Sequence, residues 1–64
     1  MDYTNSQIKA LINEYIHSER DRRLLERRLV DGITFEQLGN EFDRDPRQLR
    51  RKIYKLQEIL FKHL

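Results

Sequence analysis

Apolar residues recur along this chain at the spacing of helix faces, and short polar residues stand where those faces begin. Ile8, Leu11, Ile12, Tyr15 and Ile16 follow the i, i+3, i+4, i+7, i+8 order that places side chains on one side of an α-helix. Leu24, Leu25 and Leu29 form a narrower second stripe, widened by Val30. Phe35, Leu38 and Phe42 line a short third segment, and Leu49, Ile53, Leu56 and Leu60 line a fourth. Thr4, Ser18, Thr34 and Asp45 precede the four stripes, followed three residues later by Gln7, Asp21, Gln37 and Gln48. A short polar side chain accepts from the unpaired amides of a helix start, and a Glu or Gln at the third position reciprocates. Pro46 suits a first helical position, where its missing N–H costs nothing. Gly32, after Asp31, reads as a left-handed helix stop. The pattern predicts helices near 5–17, 19–31, 35–42 and 46–62, joined by connections too short to keep neighbours apart.

The last two segments predict a specific arrangement. About eight residues, a turn of three or four, and then a longer helix is the plan of a helix-turn-helix, here covering 34–62. Gly39 falls inside the shorter helix, where glycine costs roughly 1 kcal/mol relative to alanine. It is either a tolerated mid-helix glycine or a point where the next helix crosses too closely for a side chain. The surrounding pattern favours the crossing.

With 64 residues, the chain has room for one domain and one small core, with a net stability of roughly 3–5 kcal/mol. The predicted fold class is therefore all-α, a four-helix single domain spanning 1–64 with the helix-turn-helix at its C-terminal end. There is no cysteine, hence no disulfide framework and no thiolate metal site. No apolar run approaches the roughly 18 residues of a membrane span. No signal-peptide pattern opens the chain, so a cytoplasmic location and no membrane partner are expected.

Charge is sorted by segment. Residues 32–45 carry Arg44 against Glu36, Glu41, Asp43 and Asp45, a net of −3. Residues 46–64 carry Arg47, Arg50, Arg51, Lys52, Lys55 and Lys62 against Glu58, a net of +5. In the second segment, Arg20, Arg22, Arg23, Arg27 and Arg28 alternate with Glu19, Asp21, Glu26 and Asp31, which reads as ion pairing along a helix surface. A charged helix face is most often only solvated. One acid cannot balance six cations, however, and that excess on the second helix of a helix-turn-helix favours nucleic acid.

At 100° per residue, with the apolar stripe facing inward, Arg47, Arg51, Tyr54 and Glu58 fall on the far side of the fourth helix. Arg50 sits beside them, and Gln48, Lys52 and Lys55 flank that face. Arginine donates in a fork to guanine or phosphate, glutamine pairs with adenine, and tyrosine bonds a phosphate or stacks. Candidate base or phosphate contacts are Arg47, Gln48, Arg50, Arg51 and Tyr54. Lys55, together with Lys52, is a candidate backbone contact.

The stretch from Glu19 to Leu60, "ERDRRLLERRLVDGITFEQLGNEFDRDPRQLRRKIYKLQEIL", resembles the fourth conserved region of bacterial sigma factors. It is also similar to the small stand-alone proteins of that type found in phages and prophages of Gram-positive bacteria. The matching positions are Glu19, Arg20, Arg23, Leu25, Arg28, Asp31, Gly32, Thr34, Glu36, Leu38, Gly39 and Phe42, then Arg47, Leu49 and Arg50. The resemblance implies a helix-turn-helix whose second helix enters the major groove of a promoter element, with nearby surfaces touching RNA polymerase. It also implies a role for Thr34, whose amide stands at a helix start and would face a phosphate. Asp43 and Arg44 stand where the family usually has glycine and an aliphatic residue. Aspartate adopts the left-handed conformation less readily than glycine does. Lys52 stands where the family often buries an aliphatic side chain, leaving that role to Ile53.

Nothing in the sequence points to catalysis or to a cofactor. His17 and His63 lack a metal-ligand spacing, Ser6 and Ser18 have no base at a readable spacing, and no glycine-rich phosphate loop occurs. The rival reading is an adaptor without direct DNA contact. Ile59, Phe61 and Leu64 extend the apolar surface at the tail, which with the first helix would serve RNA polymerase or a homodimer.

Overall fold

The computed structural model describes residues 3–63. Its elements are helices α1 (Asn5–Tyr15), α2 (Glu19–Leu25), α3 (Phe35–Phe42) and α4 (Pro46–Phe61), with a π-helical segment, Glu26–Val30, continuing α2. Among the described residues there is no strand.

Each helix starts at the cap its sequence predicts. Thr4 and Thr34 form full capping boxes with Gln7 and Gln37. Ser18 accepts from the Asp21 amide, and Asp45 accepts from the Arg47 amide at 2.9 Å. These bonds use amides that a helix start leaves without partners. The helix ends differ more from expectation. α1 stops at Tyr15, two residues early, because Ile16 is extended and turns its side chain into the core.

The π-helical segment is a feature the apolar pattern did not predict. The Asp31 amide reaches the Glu26 carbonyl at 3.0 Å, an i→i−5 bond, and the Ile33 amide reaches the Arg27 carbonyl at 3.2 Å. Leu24 and Leu29 are five apart, which is the repeat of such a ladder. The wider turn keeps Leu29 packed against the cluster that Leu24 and Leu25 enter. Gly32, at φ +72, then ends the segment in the left-handed conformation glycine adopts at low cost.

One apolar cluster joins all four helices. It takes Ile12 and Ile16 from the α1 end, Leu24 and Leu25 from α2, Leu38 from α3, and Leu49, Ile53, Leu56 and Leu60 from α4. Burial of each such side chain is worth roughly 1.5–3 kcal/mol against the chain's ordering entropy. Ile53 is completely buried and fills the role that Lys52, exposed beside it, does not.

α3 and α4 are joined by Asp43, Arg44 and Asp45 alone. Asp43 adopts φ 54, and the Gly39 carbonyl accepts from the amides of Asp43 and Arg44. A Cβ on Gly39 would stand 2.7 Å from the Arg44 carbonyl oxygen and 3.0 Å from the Pro46 ring. Close approach is therefore the reason for this glycine. The approaching groups are the turn backbone and the first residue of α4, not the body of that helix.

Candidate nucleic-acid interface

The inward stripe of α4 fixes which of its side chains face out. With Leu49, Ile53, Leu56 and Leu60 buried, Arg47, Gln48, Arg50, Arg51, Lys52, Tyr54 and Lys55 are all exposed. The Arg47 side chain is 90% exposed and lies 3.6 Å from Asp45 Oδ2, too open to solvent for that pair to hold it. Arg50, Arg51 and Lys55 make no ion pair among the described residues. Lys52 lies 3.6 Å from Asp21 on α2, so this flanking lysine is shared with an acid.

The carboxylate nearest the basic face is already engaged. The Arg47 amide, by donating to Asp45, holds its carboxyl below the usual carboxylate range, with the Arg47 charge adding to the effect. Asp45 is the cap of α4, and the start of the helix dipole favours its negative charge.

An aromatic pair organises the second flank of α4. Phe35, the first residue of α3, meets Tyr54 edge-on with ring centroids 6.4 Å apart. The Arg50 guanidinium lies over the Phe35 ring at 5.0 Å, and the Arg28 guanidinium lies over the same ring at 4.4 Å. Arg28 also donates to the Ile33 carbonyl at 2.9 Å. Cation–π contact of this kind orients guanidinium groups without neutralising them.

The predicted residues therefore fall into three groups. Arg47 and Arg51 occupy the outermost line of α4. Arg50 and Tyr54 lie toward Phe35 on one flank. Gln48 lines a cleft on the opposite flank with Arg20, Asp21, Arg44 and Lys52, and helical geometry puts Lys55 on that same side. Thr34 is set apart. Its amide donates to Gln37 Oε1 at 3.0 Å and its hydroxyl accepts from the Gln37 amide, so the cap consumes both groups.

The arginines of α2 do not form the ladder of i, i+4 pairs that the sequence suggests. One such pair exists, Arg27 with Asp31 at 2.9 Å. Arg27 also clamps Glu41 of α3 through Nε at 2.9 and 3.1 Å. Those two acids, Glu41 foremost, raise its already high pKa. Arg22 crosses back to α1, donating to the carbonyls of Ile16 and, at 2.8 Å, Asn13. Arg23 lies over Phe42 at 5.6 Å.

Comparison with protein-family models, with curated proteins and with solved structures finds no match for this chain.

Three cations missing from the sequence-predicted set stand at this surface: Arg20, Arg28 and Arg44. Arg20 and Arg28 belong to helical turns whose alternating charges suggest self-pairing, and Arg44 stands where the resembling family has an apolar anchor. Arg44 stands in the turn four residues before Gln48, while no local spacing relates Arg20 or Arg28 to α4. Only the packing of α2 and the turn beside that helix brings them there.

Proposed function

We propose that this chain binds double-stranded DNA through α4, with α3 and the Asp43–Asp45 turn completing a helix-turn-helix, and that it regulates transcription in the manner of sigma factor region four. The observation that carries this reading is the exposed basic face of α4, with Arg47, Arg50, Arg51 and Lys55, where the acids are the capping Asp45 and Glu58, and Glu58 makes no ion pair among the described residues. The connection supports it. Three residues, one of them left-handed, join α3 to α4, and the turn backbone and Pro46 close on Gly39, a short connection of the kind a helix-turn-helix uses. α4 enters the major groove, Arg47, Arg50, Arg51 and Tyr54 contact bases or phosphates, and Lys55 contacts backbone.

The double substitution Arg50→Ala with Arg51→Ala tests this. Fluorescence anisotropy on a labelled duplex at low salt should show binding by the parent chain and at least a tenfold loss in the variant. The log–log salt dependence should be shallower by about 0.9 for each phosphate contact removed. Absence of duplex binding by the parent chain, or indifference to the substitution, ends the DNA reading.

A second reading has its own observation. Phe61 is 57% exposed and Ile59 41% exposed, and Phe61 borders an apolar cleft with Tyr3, Ile8, Leu11, Leu29 and Leu60. Leu64 lies outside the described residues. Such a surface suits RNA polymerase or a second copy of the chain. A molecular mass of one chain by light scattering at high concentration removes the homodimer from that reading.

A further inference from the structure

α4 is flanked on both sides by cationic clefts built from other parts of the chain. On one flank, Arg20 from the first turn of α2 and Arg44 from the turn share a cleft of about 260 Å³ with Gln48 and Lys52. Asp21 is the one acid lining it, and that carboxylate, 17% exposed, lies at Lys52. Arg20 and Arg44 make no ion pair among the described residues. On the other flank, Arg28, Thr34, Phe35, Glu36 and Arg50 line a shallow cleft. Arg28 and Arg50 share the Phe35 ring there, and Glu36 pairs with neither.

We infer that these clefts are two phosphate clamps, one for each strand bordering a single major groove, with Arg20 and Arg44 on one backbone and Arg28 with Arg50 on the other. This rests on the DNA reading and extends it to α2, the π-helical segment and the turn. Two guanidiniums gathered at one ring, neither paired with the Glu36 carboxylate of the same cleft, repel each other, and an anion between them reverses the sign of that interaction. The guanidinium fork matches phosphate oxygens. The spacing also fits. A helix with its side chains is about 10–12 Å across, and the major groove of B-form DNA is about 12 Å wide. Groups on the two shoulders of α4 therefore meet opposite edges of the groove, while Arg47 and Arg51 point to its floor. Arg20, Arg28 and Arg44 set affinity and register without reading sequence.

The test is the salt dependence of binding to a 20-base-pair duplex by fluorescence anisotropy. Four variants are compared with the parent: Arg28→Gln, Arg20→Gln with Arg44→Gln, all three together, and Arg23→Gln as a control on Phe42. The log–log slope should fall by about 0.9 for Arg28→Gln, by about 1.8 for the pair, and by about 2.7 for the triple substitution. Arg23→Gln should leave it unchanged. A change in the slope for one flank only overturns the two-strand clamp, as do flank variants that behave like the control. In either case the α4 reading stands so long as Arg50→Ala with Arg51→Ala still weakens binding. No binding by the parent chain defeats the DNA reading itself. Circular dichroism midpoints establish that each variant is folded. Should Arg28→Gln unfold, Arg28→Lys keeps the charge and should retain the slope while binding weakens severalfold. An undiminished affinity in that variant overturns the forked contact.

Discussion

α2 and α4 are both rich in arginine, yet α2 and its continuation tie two of theirs, Arg22 and Arg27, into the fold in a way that no arginine of α4 is tied. In α2 and its π-helical continuation, Arg22 satisfies α1 carbonyls and Arg27 holds two acids, one of them on α3. Those side chains are structural ties between helices. In α4, Arg51 and Lys55 touch no acid among the described residues, and Arg47 meets only the capping Asp45. An arginine count therefore says little about purpose. The distinction lies in whether the fold supplies acceptors for the guanidinium, and α4 is where it supplies fewest.

The comparison breaks first if Arg22 proves dispensable. Its two carbonyl acceptors lie at the C-terminal end of α1, where the last carbonyls of the helix lack partners of their own and no basic residue of α1 stands nearby. A charged hydrogen bond of this kind is worth about 2 kcal/mol, against a whole-domain stability of roughly 3–5 kcal/mol. Arg22→Ala should lower the thermal midpoint by roughly 10 °C. A midpoint within 2 °C of the parent value would mean that the arginines of α2 are as free as those of α4.

What the sequence made legible follows the same division. Helix starts were readable because caps are local. Thr4, Ser18, Thr34 and Asp45 each act within three residues of themselves. The inward stripe of α4, and with it the exposed face, followed from periodicity alone. The left-handed Asp43, at φ 54, has no local signal of its own; only the resemblance, with glycine at that position, points to it. The partners of Arg22, Arg27 and Arg28 were not readable. Arg22 reaches nine residues back to Asn13, and Arg27 reaches fourteen ahead to Glu41. Such contacts depend on how helices pack, and an alternating run of Arg and Glu fits local pairing equally well. The π-helical segment is not legible because a Leu-Leu stripe with a third Leu at i+5 looks like an imperfect α-helical face.

Asp45 sharpens the comparison through pH. It is the acid closest to the cationic line, and it acts as the cap of α4. Its carboxyl is held below the usual range by the Arg47 amide and then by the Arg47 charge. A carboxylate depressed on folding contributes stability that is fully present above its unfolded value and lost as pH falls through the folded value. Asn caps a helix about as well and does not titrate there. The parent chain and Asp45→Asn should therefore have similar midpoints near neutral pH. They should diverge below about pH 4, with the parent falling faster. Parallel curves through that range would show that Asp45 is not the cap the geometry makes it.

The smallest effect concerns stability on the free face itself. Arg47, Arg51 and Lys55 stand at successive i, i+4 positions, and like charges at that spacing destabilise a helix by about 0.2–0.5 kcal/mol per pair. A chain optimised only for folding would place an acid in the middle. Arg51→Glu removes two repulsions and creates two attractive pairs, one of them in the weaker order with the cation first, so stability should rise by about 1 kcal/mol. The midpoint should increase by roughly 4–8 °C, and the gain should shrink in high salt as the charges are screened. On the DNA reading, the same substitution should reduce duplex binding at least tenfold, because it puts a carboxylate on the line proposed to face the groove. Opposite signs for folding and binding would mark this row of cations as held for a partner. A variant both less stable and equally able to bind would show instead that the row belongs, like Arg22, to the architecture of the fold.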